Sequence, residues 1–326
     1  MPVGLPVGRQ QPYDSASGMP VQCLSVIAWS CATLRLQDAV LLQAINEIAA
    51  PRTHDFAPFE LAQLIWAFAK LSSFPPELFF SAARRMLSRQ RGEFKGLCLS
   101  MSAWAFGQSR LDGCGPVFQS IANELPMHAN DLRPQELAST LKTFVEVGVH
   151  NTALFDSLGW AAASTTKLQG FRPEELADVI CAFGAADIQH EAFFLCCADT
   201  LAQKSWLMSS EAIANVLHTY AQLQLTNVSA CDALLEALLA HAAVGNATPQ
   251  DLAKALSASA ELQLCETELL WRLAARRMPV RLLEGAVRAM PTQSLITMAN
   301  SCADAQTEPP ELFQTIVGEC ARRCGS

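Results

Sequence analysis

Apolar residues recur along this chain in a pattern that repeats about every 38 residues. The best-formed copy starts at Glu60 and reads ELAQLIWAFAKL, with apolar residues at positions 0, 1, 4, 7 and 8 counted from Leu61. This spacing places the apolar residues on one face of an α-helix. The chain is therefore predicted to consist of amphipathic helices, and its period has to be established before any single motif is interpreted.

Eight anchor positions equivalent to Leu61 define eight repeats, separated by 37, 38, 38, 39, 37, 39 and 43 residues. Position 6 is small in all eight repeats, and position 7 is aromatic in five of them. Most repeats also carry a bulky apolar pair at positions 17 and 18, which predicts a second helix. The anchors are Leu24, Leu61, Leu99, Leu137, Leu176, Ile213, Leu252 and Leu295.

Helix-start signals precede several anchors. Pro occupies the first turn of a helix well because its missing N–H would be unpaired there. An acid directly before the anchor lies near the positive end of the helix dipole. Thr248 to Asp251 resembles a capping box with Asp in place of Glu. The four repeats that combine Pro with an acid begin at Pro58, Pro134, Pro173 and Pro249.

Each repeat is therefore predicted to be a helix A, a short turn and a helix B, in an all-α fold. Neither helix buries its apolar face alone, so stacked repeats form an α-solenoid, or superhelix, of about eight helix pairs. Residues 1–20, with four Pro and three Gly, are predicted to be a disordered leader, and an insertion at 279–291 predicts an extra short helix. The solenoid is predicted to span 21–326, with repeats starting near 21, 58, 96, 134, 173, 210, 249 and 292.

Composition narrows the classes of function. The sequence has 23 Lys and Arg against 31 Asp and Glu, a net charge of −8, which argues against a large basic footprint and leaves room for a local basic strip. No apolar run approaches the roughly 20 residues that a membrane-spanning helix needs. The twelve Cys fall mostly on apolar positions without a Cys-x-x-Cys pair, which favours reduced core thiols over a metal site.

No arrangement of residues predicts catalysis. The segment from Gly113 to Pro116 is too short for a phosphate-binding loop. None of the six His is spaced to another His or to a Cys pair as in a zinc site, and no nucleophile and base can be paired by spacing. We therefore expect no enzymatic activity, no metal, no cofactor and no small-molecule substrate, and we expect a binding surface instead.

Positions 2, 6 and 9 of helix A lie along one stripe of the helix. A small position 6 between variable, mostly polar neighbours is typical of a surface that an extended ligand approaches closely, as in modular RNA readers. An ordinary solvated face beside close helix packing is the alternative. The candidate RNA contacts are Gln63, Lys70, Gln108, Ser139, Asn215, Gln222 and Lys254 on helix A, with Arg84 and Arg85 on helix B.

Two further features have both a structural and a functional interpretation. Position 5 is Trp in the first three repeats, at Trp29, Trp66 and Trp104, and mostly polar afterwards, which fits either packing between helices or a variable ligand-facing position. Arg84 and Arg85 open the densest basic stretch of the chain. Cations near a helix C-terminus are stabilised by the dipole, and a ridge of phosphate contacts is the alternative.

The repeat motif resembles the octotricopeptide repeat. It reads Pro-x-Glu-Leu-Ala-x-x-Ile/Leu-Trp-Ala-Phe-Ala-x-Leu, then Pro-x-x-Leu-Phe, and the best matches are 58–71 with 76–79 and 173–184 with 193–194. The helical arrays of RAP-domain and FAST-kinase-like proteins are similar, and the resemblance covers about 21–326. It implies a mitochondrial or chloroplast protein that binds single-stranded RNA in transcript processing, stability or translation.

Two hypotheses result, neither of which involves a membrane. The first is single-stranded RNA binding, with an organellar transcript as the partner. The second is a non-catalytic scaffold for protein–protein interaction. For the location, the cytoplasm is the alternative to a mitochondrion or chloroplast. The acidic charge balance and the aromatic N-terminal positions motivate the second hypothesis.

Overall fold

The computed structural model describes residues 19–225, 228–262, 264, 285, 287, 288, 292, 295, 296 and 310–324. All regular structure within these residues is helical, as the repeat pattern predicts. None of the helices in this part of the chain is long and apolar enough to cross a bilayer. Two compact units are present, an N-terminal unit (Met1–Glu124) and a C-terminal unit (Leu125–Ser326).

The N-terminal unit contains three helix pairs and a 3₁₀ turn at Ala50–Arg52. Its helices are α1 (Val21–Leu34), α2 (Ala39–Ala49), α3 (Pro58–Lys70), α4 (Pro76–Leu87), α5 (Gly96–Ser109) and α6 (Gly115–Glu124).

The C-terminal unit opens with a 3₁₀ segment at Leu125–Asp131 and has another 3₁₀ turn at Ser205–Leu207. The periodicity did not predict either of these or the short helix α9. The helices described in this unit are α7 (Pro134–Val147), α8 (Thr152–Ala162), α9 (Thr165–Gly170), α10 (Pro173–Ala185), α11 (Glu191–Lys204), α12 (Ser210–Gln222), α13 (Val228–Val244), α14 (Pro249–Glu261) and α15 (Pro310–Cys324).

Each unit has two layers of helices. In the N-terminal unit the A helices pack in the order α1, α3, α5 and the B helices in the order α2, α4, α6. In the C-terminal unit the A layer runs α7, α10, α12, α14 and the B layer runs α8, α11, α13. Each helix therefore packs against the equivalent helix of the neighbouring repeat, which is the arrangement of a solenoid.

The aromatic position 7 lies in the core, where it meets position 18 of the preceding repeat. Position 7 is buried in all seven repeats in which it is described, and position 18 is buried in all six. Three pairs of rings make edge-to-face contacts, the preferred geometry for aromatic pairs, and each pair joins a B helix to the next A helix. The pairs are Phe79 with Phe106, Phe155 with Phe183 and Phe194 with Tyr220, each with ring centroids 5.7 Å apart.

The acidic residue that directly precedes the anchor caps the N-terminus of several A helices. Glu60 accepts a hydrogen bond from the backbone N–H of Ala57 at 3.0 Å, and Glu136 and Glu175 make the same contact three residues back. The predicted capping box at Thr248 is confirmed, because Asp251 accepts from the Thr248 N–H at 3.1 Å and donates its own N–H to Thr248 Oγ1 at 3.2 Å. These contacts satisfy N–H groups that a helix leaves unpaired.

Some predicted features lie outside the described residues. The leader up to residue 18 is one of them, and so is most of the eighth repeat. Of the insertion at 279–291, only Gly285, Val287 and Arg288 are described, and these residues are helical.

Small side chains at position 6 allow neighbouring A helices to approach closely. Six of these residues are at most 4% exposed: Ala67, Ala105, Thr143, Ala182, Thr219 and Ala258.

A very close approach in the A layer occurs at Gly184 on α10, which lies against Thr219 on α12. A Cβ added at Gly184 would lie 2.6 Å from Thr219 Cγ2 and 2.9 Å from Thr219 Oγ1. Thr219 is buried, so its side chain has little space to move away from an added Cβ.

We predict that Gly184→Ala lowers the free energy of unfolding by about 1–3 kcal/mol, the usual cost of overpacking a tight interface. Urea or thermal denaturation of the purified chain measures it. Gly318→Ala on α15 is the matched control, because no atom lies within 4 Å of its added Cβ. It should be neutral or stabilising by up to about 1 kcal/mol, since Ala favours helix over Gly.

Adding Thr219→Ala to Gly184→Ala removes both clashing atoms and should recover part of the stability. Equal stability of Gly184→Ala and the parent chain would show that the A layer is not closely packed at this point.

Candidate nucleic-acid interface

The exposed side of the A helices is formed by positions 2, 5 and 9, which we call the A face. These three positions are exposed or partly exposed in every described repeat. Position 6, which the sequence pattern placed in this stripe, is instead buried against the neighbouring A helix in six repeats. The small residues therefore serve helix packing, and position 5 occupies the middle of the exposed stripe.

Indole rings dominate the A face of the N-terminal unit. Trp66 on α3 and Trp104 on α5 have ring centroids 6.0 Å apart and are tilted by 41°. Trp29 holds the same position on α1 and is 42% exposed. Lys70 Nζ lies 5.9 Å from the centroid of the Trp104 ring, within the range of a cation–π contact. Lys70 is the one charged residue among the nine positions of this face.

Polar pairs between neighbouring helices cover the A face of the C-terminal unit. Lys142 on α7 donates to Asp178 on α10 at 2.9 Å, and Lys254 on α14 donates to Asn215 on α12 at 2.6 Å. Gln222 on α12 donates to the backbone carbonyl of Gly184 on α10 at 2.9 Å. Such exposed contacts have small net free energies, so a polar ligand can compete for the same groups.

The local environment shifts two titratable groups on this face. The hydrogen bond to the Asp178 carboxylate raises the pKa of Lys142, which therefore stays charged. Desolvation, and then the neighbouring Lys254 ammonium, lowers the pKa of His218. His218 is accordingly a neutral imidazole at pH 7, with one donor and one acceptor nitrogen available to a ligand.

Acidic residues are unevenly distributed over the two faces. The described A face of the C-terminal unit has Glu146, Asp178 and Glu261 against Lys142 and Lys254, whereas that of the N-terminal unit has no acid. The whole chain therefore has a net negative charge, whereas the A-face positions of the N-terminal unit have a net positive charge.

The predicted B-helix contacts lie in the other layer. Arg84 is exposed, donates to Ser81 Oγ at 3.1 Å and lines a groove on the B side of the N-terminal unit. Arg85 pairs with Glu93, and this guanidinium lowers the pKa of the Glu93 carboxyl. Both arginines belong to the last turn of α4, as the dipole interpretation expects.

Comparison with known proteins places the chain in a family. A family model described as RNA-editing substrate-binding complex 6 protein (RESC6) matches residues 14–320. The chain belongs to this family. No curated protein matches it. The description of the family does not mention the octotricopeptide repeat, so the likeness to that repeat remains a resemblance of the motif.

Several cations of this RESC6-family chain bind their own backbone. Lys167 on α9 donates to the carbonyls of Ala129, Asn130 and Leu132, at 3.1, 2.8 and 2.7 Å. Its pKa is lowered, chiefly because burial disfavours the charged form.

The same type of contact recurs in other repeats. Lys204 donates to the carbonyls of Gln169 and Phe171, and in the N-terminal unit Arg52 donates to the Met19 carbonyl at 3.0 Å. Sequence reasoning missed this role. The signal that could have indicated it is a basic residue 28 positions after the anchor, present at Arg52, Arg89 and Lys204.

The side chain of Arg89 is buried and only 3% exposed. It donates to the Glu124 carboxylate at 2.6 and 3.0 Å and to Ser120 Oγ at 3.2 Å, and it lies 5.4 Å from the centroid of the Phe94 ring. Glu124 is 7% exposed and also accepts the Gly92 N–H at 2.7 Å. This arginine joins α6 to the end of α4 and is not available to a phosphate group.

His190 also has a structural role. Its Nδ1 accepts the N–H of Phe193 at 3.1 Å and so caps α11, and its ring makes an edge-to-face contact with Trp160 at 5.3 Å. Over the described residues, no three His, Cys, Asp or Glu side chains are grouped to hold a metal ion.

The predicted contact residues thus fall into separate sets. Gln63, Lys70 and Gln108 lie on the A face of the N-terminal unit, and Arg84 and Arg85 lie in its B layer. The remaining four lie on the A face of the C-terminal unit: Ser139, Asn215, Gln222 and Lys254.

We predict that Arg89→Leu lowers the free energy of unfolding by about 3–5 kcal/mol, because it leaves the Glu124 carboxylate buried without its partner. Arg84→Leu is the control, since it removes the same charge from an exposed site and should change stability by less than about 0.5 kcal/mol. Chemical denaturation of both variants measures the difference. Similar stability of the two variants would contradict the buried ion pair.

Proposed function

We propose that this chain binds single-stranded RNA through its A face and takes part in mitochondrial RNA processing as a non-catalytic component of an RNA-editing assembly. The observation that carries the proposal is the A face of each unit, where every described repeat of that unit presents one set of three side chains on helices stacked side by side. An extended ligand that follows such a row meets one set after another, which is how modular RNA readers work. The name of the family, an RNA-editing substrate-binding complex component, supports RNA as the ligand.

In this proposal the charged side chains and the uncharged polar side chains contact different parts of the RNA. Lys70 and Lys254 meet phosphates, because ammonium groups neutralise the backbone and release its counterions. Gln63, Gln108 and Asn215 offer amide groups, which pair with the edges of unstacked bases. Ser139 and Gln222 add a hydroxyl and a further amide in the C-terminal unit.

The proposed location is the mitochondrion rather than the chloroplast, because RNA editing by such complexes is mitochondrial. The octotricopeptide-like motif supports the organellar assignment and the reading of RNA by repeats. A role without enzymatic activity stays a prediction, and the amides, indoles and lysines of the A face are groups that bind RNA.

A protein scaffold is the second candidate function, and the B layer favours it. Val40 on α2 is 81% exposed, Leu195 on α11 is 72% exposed, and Phe80 and Leu87 are exposed beside a groove of about 1150 Å³ in the N-terminal unit. Exposed apolar groups around a groove are typical of protein interaction sites. This layer is separate from the A face, so an RNA contact and a protein contact are compatible.

We predict that the purified chain binds a pool of random single-stranded RNA and that the affinity falls steeply between low and physiological salt. Lys70→Glu combined with Lys254→Glu should lower the affinity about tenfold or more. It should also reduce the salt slope by about 0.7 for each phosphate group that the protein no longer neutralises. Filter binding or fluorescence anisotropy at several salt concentrations measures both quantities.

Arg84→Glu is the control for Lys70→Glu, because it makes the same charge change in the same unit but in the B layer. RNA binding that responds to Lys70→Glu and not to Arg84→Glu supports the A face. The reverse result would move the RNA site to the B layer. Failure of the parent chain to bind RNA at low salt would refute the proposed function and favour the scaffold.

A further inference from the structure

Position 5 carries an indole on each of the three A helices of the N-terminal unit. Trp29 is exposed, and Trp66 and Trp104 are partly exposed. At the same position the C-terminal unit has Lys142, Cys181, His218 and Ser257, so the aromatic row is confined to one unit. Large apolar rings left at the surface in a row mark an interaction site rather than an ordinary solvated face.

The spacing of the rings restricts how a ligand can use them. A planar base between two rings needs about 6.8 Å, twice the roughly 3.4 Å rise of stacked bases. The Trp66 and Trp104 centroids are 6.0 Å apart and the rings are tilted by 41°, so no base fits between them. Each indole therefore offers only its exposed surface.

The same spacing favours an unstacked strand. The centroids of Trp66 and Trp104 lie 6.0 Å apart. This is wider than the roughly 3.4 Å rise between neighbouring bases in a stacked strand or a duplex. Bases lying on successive indoles must consequently be splayed apart, as they are in single strands bound by aromatic side chains.

The charges around the row favour an anion with flat rings over an apolar peptide. Lys70 Nζ lies 5.9 Å from the Trp104 centroid, where it can meet the phosphate of a nucleotide stacked on that side. No carboxylate occupies any of the nine A-face positions of this unit, so nothing on this face repels a phosphate. Gln63 and Gln108 flank the rings with amide groups.

We infer that Trp29, Trp66 and Trp104 form a base-stacking platform for single-stranded RNA that is indifferent to base identity. The inference rests on the proposed function and specifies how one face performs it. Stacking tolerates any sequence because every base has a π-face. Lys70 supplies the accompanying phosphate contact.

The test compares the affinities of the full chain for oligouridylate, oligoadenylate and an abasic oligonucleotide of the same length. Trp66→Ala combined with Trp104→Ala should weaken binding to both normal oligonucleotides by about tenfold or more for each indole. Its effect on the abasic strand, which keeps the phosphates and lacks the bases, should be small. Quenching of tryptophan fluorescence by the normal oligonucleotides provides an independent readout in the unsubstituted chain.

Two controls separate stacking from folding. Trp66→Phe combined with Trp104→Phe keeps an aromatic surface and should retain most of the affinity, and it replaces the Ala variant if that variant does not fold. Trp206→Ala removes an indole that is 55% exposed in the Ser205–Leu207 turn of the other unit, and it should leave RNA binding unchanged.

The outcomes distinguish this inference from the function on which it rests. A folded Ala variant that binds both oligonucleotides like the parent chain, with the same salt dependence, would refute the platform and leave RNA binding in place. The indoles would then be assigned to a protein contact. A parent chain that binds no RNA at low salt would refute both.

Discussion

Close contact between neighbouring A helices is the constraint on which the rest of this structure depends. Position 6 has to be small because it lies in the interface between helices, and at Gly184 even one added carbon would overlap Thr219. Because the A helices lie so close together, the side chain at position 7 of one repeat contacts the side chain at position 18 of the preceding repeat. The edge-to-face pair at Phe155 and Phe183 is one of three that result. The two layers, the core and the exposed A face all follow from this contact.

The distribution of charge matters more for binding than the net charge of −8. Arg89 and Lys167 are bound to groups of the protein itself, so they contribute nothing to a phosphate-binding surface. The acids near the A face belong to the C-terminal unit, and the corresponding face of the N-terminal unit has Lys70 and no carboxylate. An overall acidic chain therefore still offers a local surface suited to an anionic ligand.

The two units present different chemistry at equivalent positions. Position 5 is Trp66 in one unit and His218 in the other, although both lie on A helices of the same design. Indoles suit stacking without regard to base identity, whereas neutral imidazole and amide groups suit hydrogen bonding to base edges. The same repeated helices can thus carry different ligand-binding side chains. Positions 2, 5 and 9 can vary because they are not packed between helices as position 6 is.

The sequence by itself determined the repeat, the helix pair, the small position 6 and the buried aromatic position 7, because hydrophobic periodicity and helix-start residues are local signals. Tertiary structure decided which side of helix A is exposed. The periodicity placed Ala67 in the exposed stripe, and the neighbouring helix buries it and leaves Trp66 at the surface. Tertiary structure also decided which cations are exposed, because Arg84 and Arg89 both belong to the same basic stretch of the sequence. Their difference depends on Glu124, 35 residues further along the chain from Arg89, and only the packed fold brings that carboxylate within reach.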